Sequence, residues 1–323
     1  MARYSASMSE PACVRRRPKL LTVLGSLIAL LIAAGLALQI AIWRNGPAVL
    51  DAVDRITGGS RGAVLAERVS YGPSDKQYLS VYTPKDPVAE PMPVIVFVHG
   101  GSWNKGDPEN YGFIGRAFVP EGFVVVLAAY RLHPEAVYPA MIEDTAAAIA
   151  WTQANIARHG GDPSRIVIAG HSAGAYNVAM TALEARWLAE AGGSTAQIAG
   201  VVGLAGPYDF YPFDSDSTRA SFGHVSQGEV TQPITHVRND APPKLLVHGE
   251  ADTLVKPRNS RELAKRLENS GAKVETLYLK DADHNQPLLA LASPWRSKSE
   301  VFNAFVEFAR KARSSVPVKD EMR

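Results

Sequence analysis

The sequence predicts an α/β domain with a doubly wound, mostly parallel sheet. Three observations carry that prediction. Short, continuously apolar, β-branched runs recur along the chain, with Val94–Val98 and Phe123–Ala129 the clearest, as expected of strands covered on both faces. Segments rich in Ala, Leu, Met and Glu separate the runs that follow them, giving the alternation of strand and helix that builds a parallel sheet. At one junction, Gly170-His171-Ser172-Ala173-Gly174 stands between the apolar run Arg165–Ala169 and a helical segment. A serine held in so tight a strand-to-helix turn has its hydroxyl pushed outward.

Composition bounds the rest. The chain has 323 residues, enough for one large α/β domain with additions or for two ordinary domains. The 46% hydrophobic and 20% charged fractions are those of a globular protein and exclude a disordered one. Net charge is +2 and the basic residues of the body are dispersed, so no nucleic-acid surface is expected. Cys13 is the sole cysteine, which excludes an intrachain disulfide and a cysteine-based metal site.

Taken in order, residues 1–19 form a basic tail ending in Arg15-Arg16-Arg17-Pro18-Lys19. An uncharged run from Leu20 to Trp43 follows. At ~1.5 Å per residue that run reaches about 36 Å, enough to cross a hydrocarbon core of about 30 Å. The basic cluster predicts a cytoplasmic N-terminus and a body on the extracytoplasmic side. The alternative is export after signal cleavage, with Gly35-Leu36-Ala37 as the small-residue site. Residues 44–62, with Gly46-Pro47 and Gly58-Gly59, read as a linker that lets the body stand off the bilayer.

The folded body is expected over 63–314, followed by a polar tail at 315–323. Val64–Tyr71 and Gln77–Thr83 alternate around Gly72-Pro73-Ser74-Asp75 and predict an antiparallel edge hairpin. Val94–Val98 and Phe123–Ala129 are buried strands. Ala140–Arg158 is a helix stopped by Gly160-Gly161-Asp162-Pro163. Arg165–Ala169 is the strand into the turn, and Ala173–Ala191 the helix out of it. Ile198–Leu204, Lys244–His248 and Lys273–Leu279 complete the strands. Pro257–Ser270 begins with proline, tolerated in a first helical turn, and Glu300–Arg313 closes the domain as an amphipathic helix.

Serine is a weak nucleophile at its ordinary pKa and needs a base, which needs an orienting carboxylate. In this strand–helix arrangement the partners follow in the order acid, then histidine. Asp252 lies just past Lys244–His248, and His284 just past Lys273–Leu279, where parallel sheets gather their sites. Glu250 and Asp209 are rival acids. His248 is a rival base at a strand end, while His133, His224 and His236 lack the chain position. An oxyanion hole needs two amide donors. Ala173 supplies one, and Gly100 or Gly101, in the loop after Val98, the other. Trp103 and His171 are candidate pocket residues, and Trp103 fits a core position equally well.

From about Val64 to Arg313 the chain resembles the α/β-hydrolases, and within them the carboxylesterases of the hormone-sensitive-lipase-like and bacterial feruloyl-esterase-like groups. The resemblance is carried by His99-Gly-Gly-Ser-Trp103, Tyr130-Arg-Leu-His-Pro134 with Tyr138-Pro139, Asp144–Trp151, Gly161-Asp-Pro-Ser-Arg165, Gly170–Gly174, and Asp252 with His284. It implies a Ser172–His284–Asp252 triad, an oxyanion hole from Gly100, Gly101 and Ala173, a small-molecule ester substrate, and no metal or organic cofactor. Ser102 stands where the first group has a third glycine, and His171 where it has aspartate. Only the modest Pro207–Pro243 segment is available as a cap. These departures favour the feruloyl-esterase-like and formamidase-like side over a long-chain lipase with a lid. An amidase or arylformamidase using the same triad is the nearest alternative, and a catalytically silent binding module the alternative from another class. Oligomeric state is not legible.

Overall fold

The structure, a computed structural model, describes residues 20–58, 62–86 and 88–313. The basic tail with Cys13, residues 59–61 and the polar tail lie outside the described residues.

Helix α1 (Leu20–Ile56) comes first, with a break at Asn45, whose φ of −153° and ψ of 76° are not helical. The part from Val23 onward is long and apolar enough to cross a membrane. Asn45 Oδ1 accepts the amide of Ala48 at 3.2 Å, so Asn45 caps the second part of the helix and Pro47 falls in its first turn, where its missing N–H costs little.

This corrects the linker expected at 44–62. Residues 46–56 are helical, and the compact unit begins at Leu50 rather than at 63. Leu50, Asp51 and Asp54 are buried. Arg116 binds Asp51 Oδ1 at 2.5 Å and Asp54 Oδ2 at 2.7 Å. Asp54 Oδ1 accepts the amide of Ser293 at 2.7 Å and Arg296 at 3.1 Å. Two carboxylates one helical turn apart thus share one guanidinium, and the Gly-Pro pair that resembles a tether signal opens a docked helix instead.

Eight strands form one sheet: β1 (Ala63–Ser70), β2 (Tyr78–Pro84), β3 (Met92–Val98), β4 (Val124–Ala128), β5 (Gly161–His171), β6 (Ile198–Leu204), β7 (Lys244–Gly249) and β8 (Val274–Leu279), in the order β1-β2-β4-β3-β5-β6-β7-β8. β1 and β2 pair antiparallel, and β2 pairs antiparallel with β4. All other pairings are parallel. The mostly parallel sheet and its edge hairpin are as expected. β3, β4 and β6 are buried along their whole length, which explains their unbroken apolar character.

The helices that follow are α2 (Gly112–Phe118), α3 (Ala140–Asn155), α4 (Ala173–Leu183), α5 (Arg186–Glu190), α6 (Asp216–Phe222), α7 (Arg258–Ser270), α8 (Gln286–Leu289) and α9 (Glu300–Lys311). Two expectations need correction. The helix after the turn stops at Leu183, because Glu184 turns extended, and resumes as α5. α2 was not expected: two glycines in Gly112-Phe-Ile-Gly-Arg-Ala-Phe118 weaken its propensity, but all seven residues are buried. A side chain at Gly115 would collide with Tyr82, so glycine lets the helix lie flat on the sheet.

Two apolar layers follow from this winding. Phe113, Phe118, Phe302 and Phe305 pack with Ile95, Phe97 and Val125, while Met141, Ile142, Ile149, Tyr176 and Trp187 pack with Val94, Val96 and Val126. Successive residues of one strand feed opposite layers, the period of two expected of a pleated sheet.

Candidate active site

Ser172 follows β5 directly and opens α4 with φ 54° and ψ −121°, a conformation costly for any residue but glycine. The surroundings hold it there. Its amide donates to Leu204 O at 2.8 Å, and its carbonyl accepts the amide of Tyr176 at 3.1 Å. A side chain at Gly170 would run into the backbone of Gly174, and one at Gly174 into the carbonyls of Val98 and His99. Both glycines are therefore required by the close approach of β3, the turn and α4.

The acid and the histidine sit on two loops stitched to each other. Glu250 N donates to Leu279 O at 2.9 Å and Ala251 N to Ala282 O at 3.0 Å. Asp252 and His284 are brought together by these bonds: His284 Nδ1 donates to Asp252 Oδ2 at 2.7 Å. On the other side of the ring, Nε2 accepts from Ser172 Oγ at 2.9 Å. Ser172, His284 and Asp252 are 8%, 7% and 3% exposed, so water reaches the trio only at its rim. Asp283 Oδ1 accepts the amides of Asn285 and Gln286, while Gln286 Oε1 accepts the amide of Asp283. This turn fixes the backbone on both sides of His284.

Burial alone would raise the Asp252 carboxyl. Hydrogen bonds from His248 and His284 and the amide of Val255 outweigh burial and hold it well below the usual carboxylate range. Asp252 is thus an anion against the imidazole. The rival acids are engaged elsewhere: Glu250 binds Arg261 at 2.5 Å and Asp209 binds Arg258 at 3.1 Å.

The glycine loop passes hard against the turn. A side chain at Gly100 would press on His171 O and the Ser172 Cβ, and Gly101 takes φ 122° with its Cβ position occupied by Lys105 O. Asn104 and Lys105 donate their amides back to Gly101 O. Ala173 begins α4, where first-turn N–H groups have no carbonyl within the helix to bind.

His171 is not a free pocket residue. Its Nε2 donates to the carbonyl of His284 at 2.9 Å, and the two rings lie 4.9 Å apart. Burial, with the charge of His284 adding to it, pushes His171 down to about 3, so it serves as a neutral donor. Adjacent residues of one turn therefore hold His284 at two points, Ser172 at the ring and His171 at the backbone. Trp103 is buried, donates Nε1 to Asn177 Oδ1 at 3.1 Å, and packs edge-on against Tyr176 and Phe222 and face-on against Phe210. The position is a core one, and its neighbours join the glycine loop and α4 to the 207–243 segment. Tyr176 Oη donates to Thr231 O at 2.7 Å, and Arg238 to the carbonyls of Leu183 and Ala182, so that segment is pinned to α4.

Sequence reasoning treated His248 only as a rival base. In the structure it lies behind Asp252, its Nε2 3.2 Å from Oδ2. The available signal was its spacing of four from Asp252 across the end of β7, which brings both side chains to one side of the loop.

A family model described as BD-FAE matches residues 79–267. The esterase LipC of Mycobacterium tuberculosis is 34% identical over 250 residues, which cover 71% of this chain and 62% of LipC. A probable isoprenylcysteine alpha-carbonyl methylesterase of Arabidopsis thaliana is 30% identical over 251 residues, covering 71% of this chain and 52% of the plant protein. The chain thus spans about six-tenths or less of the length of these relatives. Among solved structures, the apo form of Thermogutta terrifontis esterase 2 superposes with a TM-score of 0.63 at 25% identity, covering 76% of this chain and 92% of that one.

Proposed function

We propose that this chain, which belongs to the BD-FAE family of α/β-hydrolases, hydrolyses carboxylic esters by acyl transfer through Ser172. The observation that carries the reading is the continuous hydrogen-bonded line Asp252–His284–Ser172, in a family whose curated relatives include proteins named esterases. Ser172 Oγ attacks the ester carbonyl carbon while its proton passes to His284 Nε2. The oxyanion that forms is met by the amides of Ala173 and of Gly100 or Gly101, such donors being worth about 3–4 kcal/mol each. As the carbonyl re-forms, the bond to the alkoxide breaks and His284 gives it the proton. Water then enters and attacks the acyl carbon as its proton passes to His284; the bond from that carbon to Ser172 Oγ breaks, His284 returns the proton to Oγ, and the carboxylic acid leaves. Asp252 keeps its charge throughout and stabilises the imidazolium.

The substrate is a short- to medium-chain or aryl carboxylic ester. Low exposure of Ser172 and the pinned 207–243 segment support a small acyl site. The apolar part of α1 anchors the chain in a membrane, with Arg15–Lys19 on the cytoplasmic side and the catalytic domain outside.

The test is hydrolysis of p-nitrophenyl acetate, butyrate and a long-chain ester by the full chain in detergent, beside Ser172→Ala. Expected is short-chain activity that falls by at least about 10⁴-fold in the variant. Activity that survives the substitution refutes the nucleophile. Fluorophosphonate labelling of Ser172 without ester cleavage redirects the reading to an amide such as an arylformamide. Absence of both favours the silent binding module.

A further inference from the structure

Behind the acid lies a histidine that takes no proton and touches no reacting atom in the proposed ester cleavage. His248, in β7, is fully buried. Its Nε2 is 2.8 Å from the carbonyl of Val255 and 3.2 Å from Asp252 Oδ2, the same oxygen that accepts from His284. Both neighbours are acceptors, so Nε2 carries the hydrogen. Nδ1 is 2.7 Å from the hydroxyl of Ser260, a fully buried residue of α7, and in the neutral ring it accepts from that hydroxyl. Ser260 therefore selects the tautomer that His248 needs.

The carboxylate is gripped on both sides. Asp252 Oδ1 accepts the amides of Leu254 and Val255, each at 2.9 Å. Val255 is used twice: its amide binds the carboxylate and its carbonyl binds His248. Were His248 absent, the two amides would still hold Oδ1, but on Oδ2 itself only His284 would remain among the described residues. That ring gains and loses a proton in every cycle, so its hold on Oδ2 changes strength as the reaction proceeds. His248 Nε2 has a single hydrogen, shared between Val255 O at 2.8 Å and Oδ2 at 3.2 Å, and that share, outside the proton traffic, stays on the oxygen through both states.

We propose that His248, oriented by Ser260, is a positioning residue that keeps Asp252 Oδ2 in line with His284 Nδ1. The inference rests on the ester-hydrolase reading of Ser172, His284 and Asp252. It also distinguishes His248 from a space-filling core residue, for which an apolar side chain of similar size would serve as well.

A double-mutant cycle with rescue tests it. The variants are His248→Leu, His248→Gln, Asp252→Ala and His248→Leu with Asp252→Ala, made in the full chain and assayed in detergent below their melting temperatures. Two readouts are kcat and KM for p-nitrophenyl acetate and the rate of Ser172 phosphonylation by a fluorophosphonate. His248→Leu should lower kcat about 10- to 100-fold, the scale of a misplaced catalytic group, with KM unchanged. The same substitution should cost nothing further once Asp252 is alanine, because its effect runs through that carboxylate. His248→Gln, whose amide N–H stands in for Nε2, should recover most of the loss. An equal loss in both Asp252 backgrounds, a loss in KM alone, or a glutamine no better than leucine overturns the proposal. Should His248→Leu fail to fold, Ser260→Ala replaces it in the cycle: a smaller fall in kcat, absent from the Asp252→Ala background, is expected, and an unchanged kcat overturns. A wild-type chain that labels at Ser172 without cleaving esters refutes the substrate reading while the labelling rates still decide the role of His248. A wild-type chain that does neither overturns both.

Discussion

Two polar constellations are buried in the domain, and they are built in opposite ways. One joins Asp51 and Asp54, on the second part of α1, to Arg116 of α2 and to Arg296 and Ser293. Every charge there faces an opposite charge or an amide, and the geometry needs no strained backbone. The other joins Asp252, His284 and Ser172. It keeps Ser172 in a conformation that L-residues avoid, crowds glycines against the turn, and sets a serine hydroxyl against an imidazole. A cluster whose groups are all matched stabilises the parts it joins. A cluster held under strain, with a serine hydroxyl at its end, relies on its surroundings to keep a geometry suited to the proposed chemistry. Burial and charge look alike in the two; strain and the serine hydroxyl separate them.

The largest effect that would sharpen the contrast is Asp252→Asn. The amide nitrogen of asparagine can donate to His284 Nδ1 and so favour the wrong tautomer, and kcat on p-nitrophenyl acetate should fall about 10⁴-fold. A fall of only a few-fold would mean that Asp252 is not the orienting acid. The next effect belongs to the other cluster. Arg116→Met leaves two buried carboxylates facing a thioether, which should cost about 3–5 kcal/mol of stability and show as a lowered urea midpoint. Its kcat and KM, measured where the variant is still folded, should match the wild type. Loss of activity without loss of stability would join the two clusters into one device and break the comparison.

The clusters also differ in how far the sequence disclosed them. Ser172, Asp252 and His284 were legible because each sits at a strand end, where local pattern and chain order constrain the choice. Gly170 and Gly174 were legible because the turn tolerates nothing larger. The Asp51–Asp54–Arg116 cluster was not, because Arg116 is far along the chain from the two aspartates and each residue alone looks like a surface charge. Asn45-Gly46-Pro47 reads as a break by composition, and only the capping bond from Ala48 to Asn45 shows that it starts a helix. The sheet was legible where strands are apolar throughout. α2 was hidden by glycines whose purpose is tertiary, namely to clear Tyr82. The partners of His171 and His248 were not legible, since His171 binds a carbonyl more than a hundred residues on, at His284, and His248 binds residues whose approach depends on how the chain folds back after β7.

The smallest effect tests whether the two clusters respond differently to acid. His171 lies against the proposed catalytic group and is pushed by burial down to about 3, and His99, stacked on Tyr130 beside the glycine loop, down to about 4. In the unfolded chain both rings bind a proton as the pH falls through about 6.5, whereas the folded chain refuses it until far lower. The unfolded state then holds more protons, so stability must fall as the pH falls, by up to about 1.4 kcal/mol per pH unit for each ring. Between pH 6.5 and 5 the carboxylates are still ionised and contribute little to the slope. Urea unfolding across that window should show the loss in the wild type. His171→Gln keeps a donor for the His284 carbonyl and removes the titrating ring, so it should flatten the slope by one proton's worth. Arg116→Met, lower in stability throughout, should flatten the slope by another route, because Asp51 and Asp54, buried without that guanidinium, take up protons more readily in the folded chain. If His171→Gln leaves the slope unchanged, the ring already takes its proton in the folded chain near its ordinary pKa. The bond to His284 would then be that of a cation, and the turn would carry a charge that the proposed chemistry does not provide for.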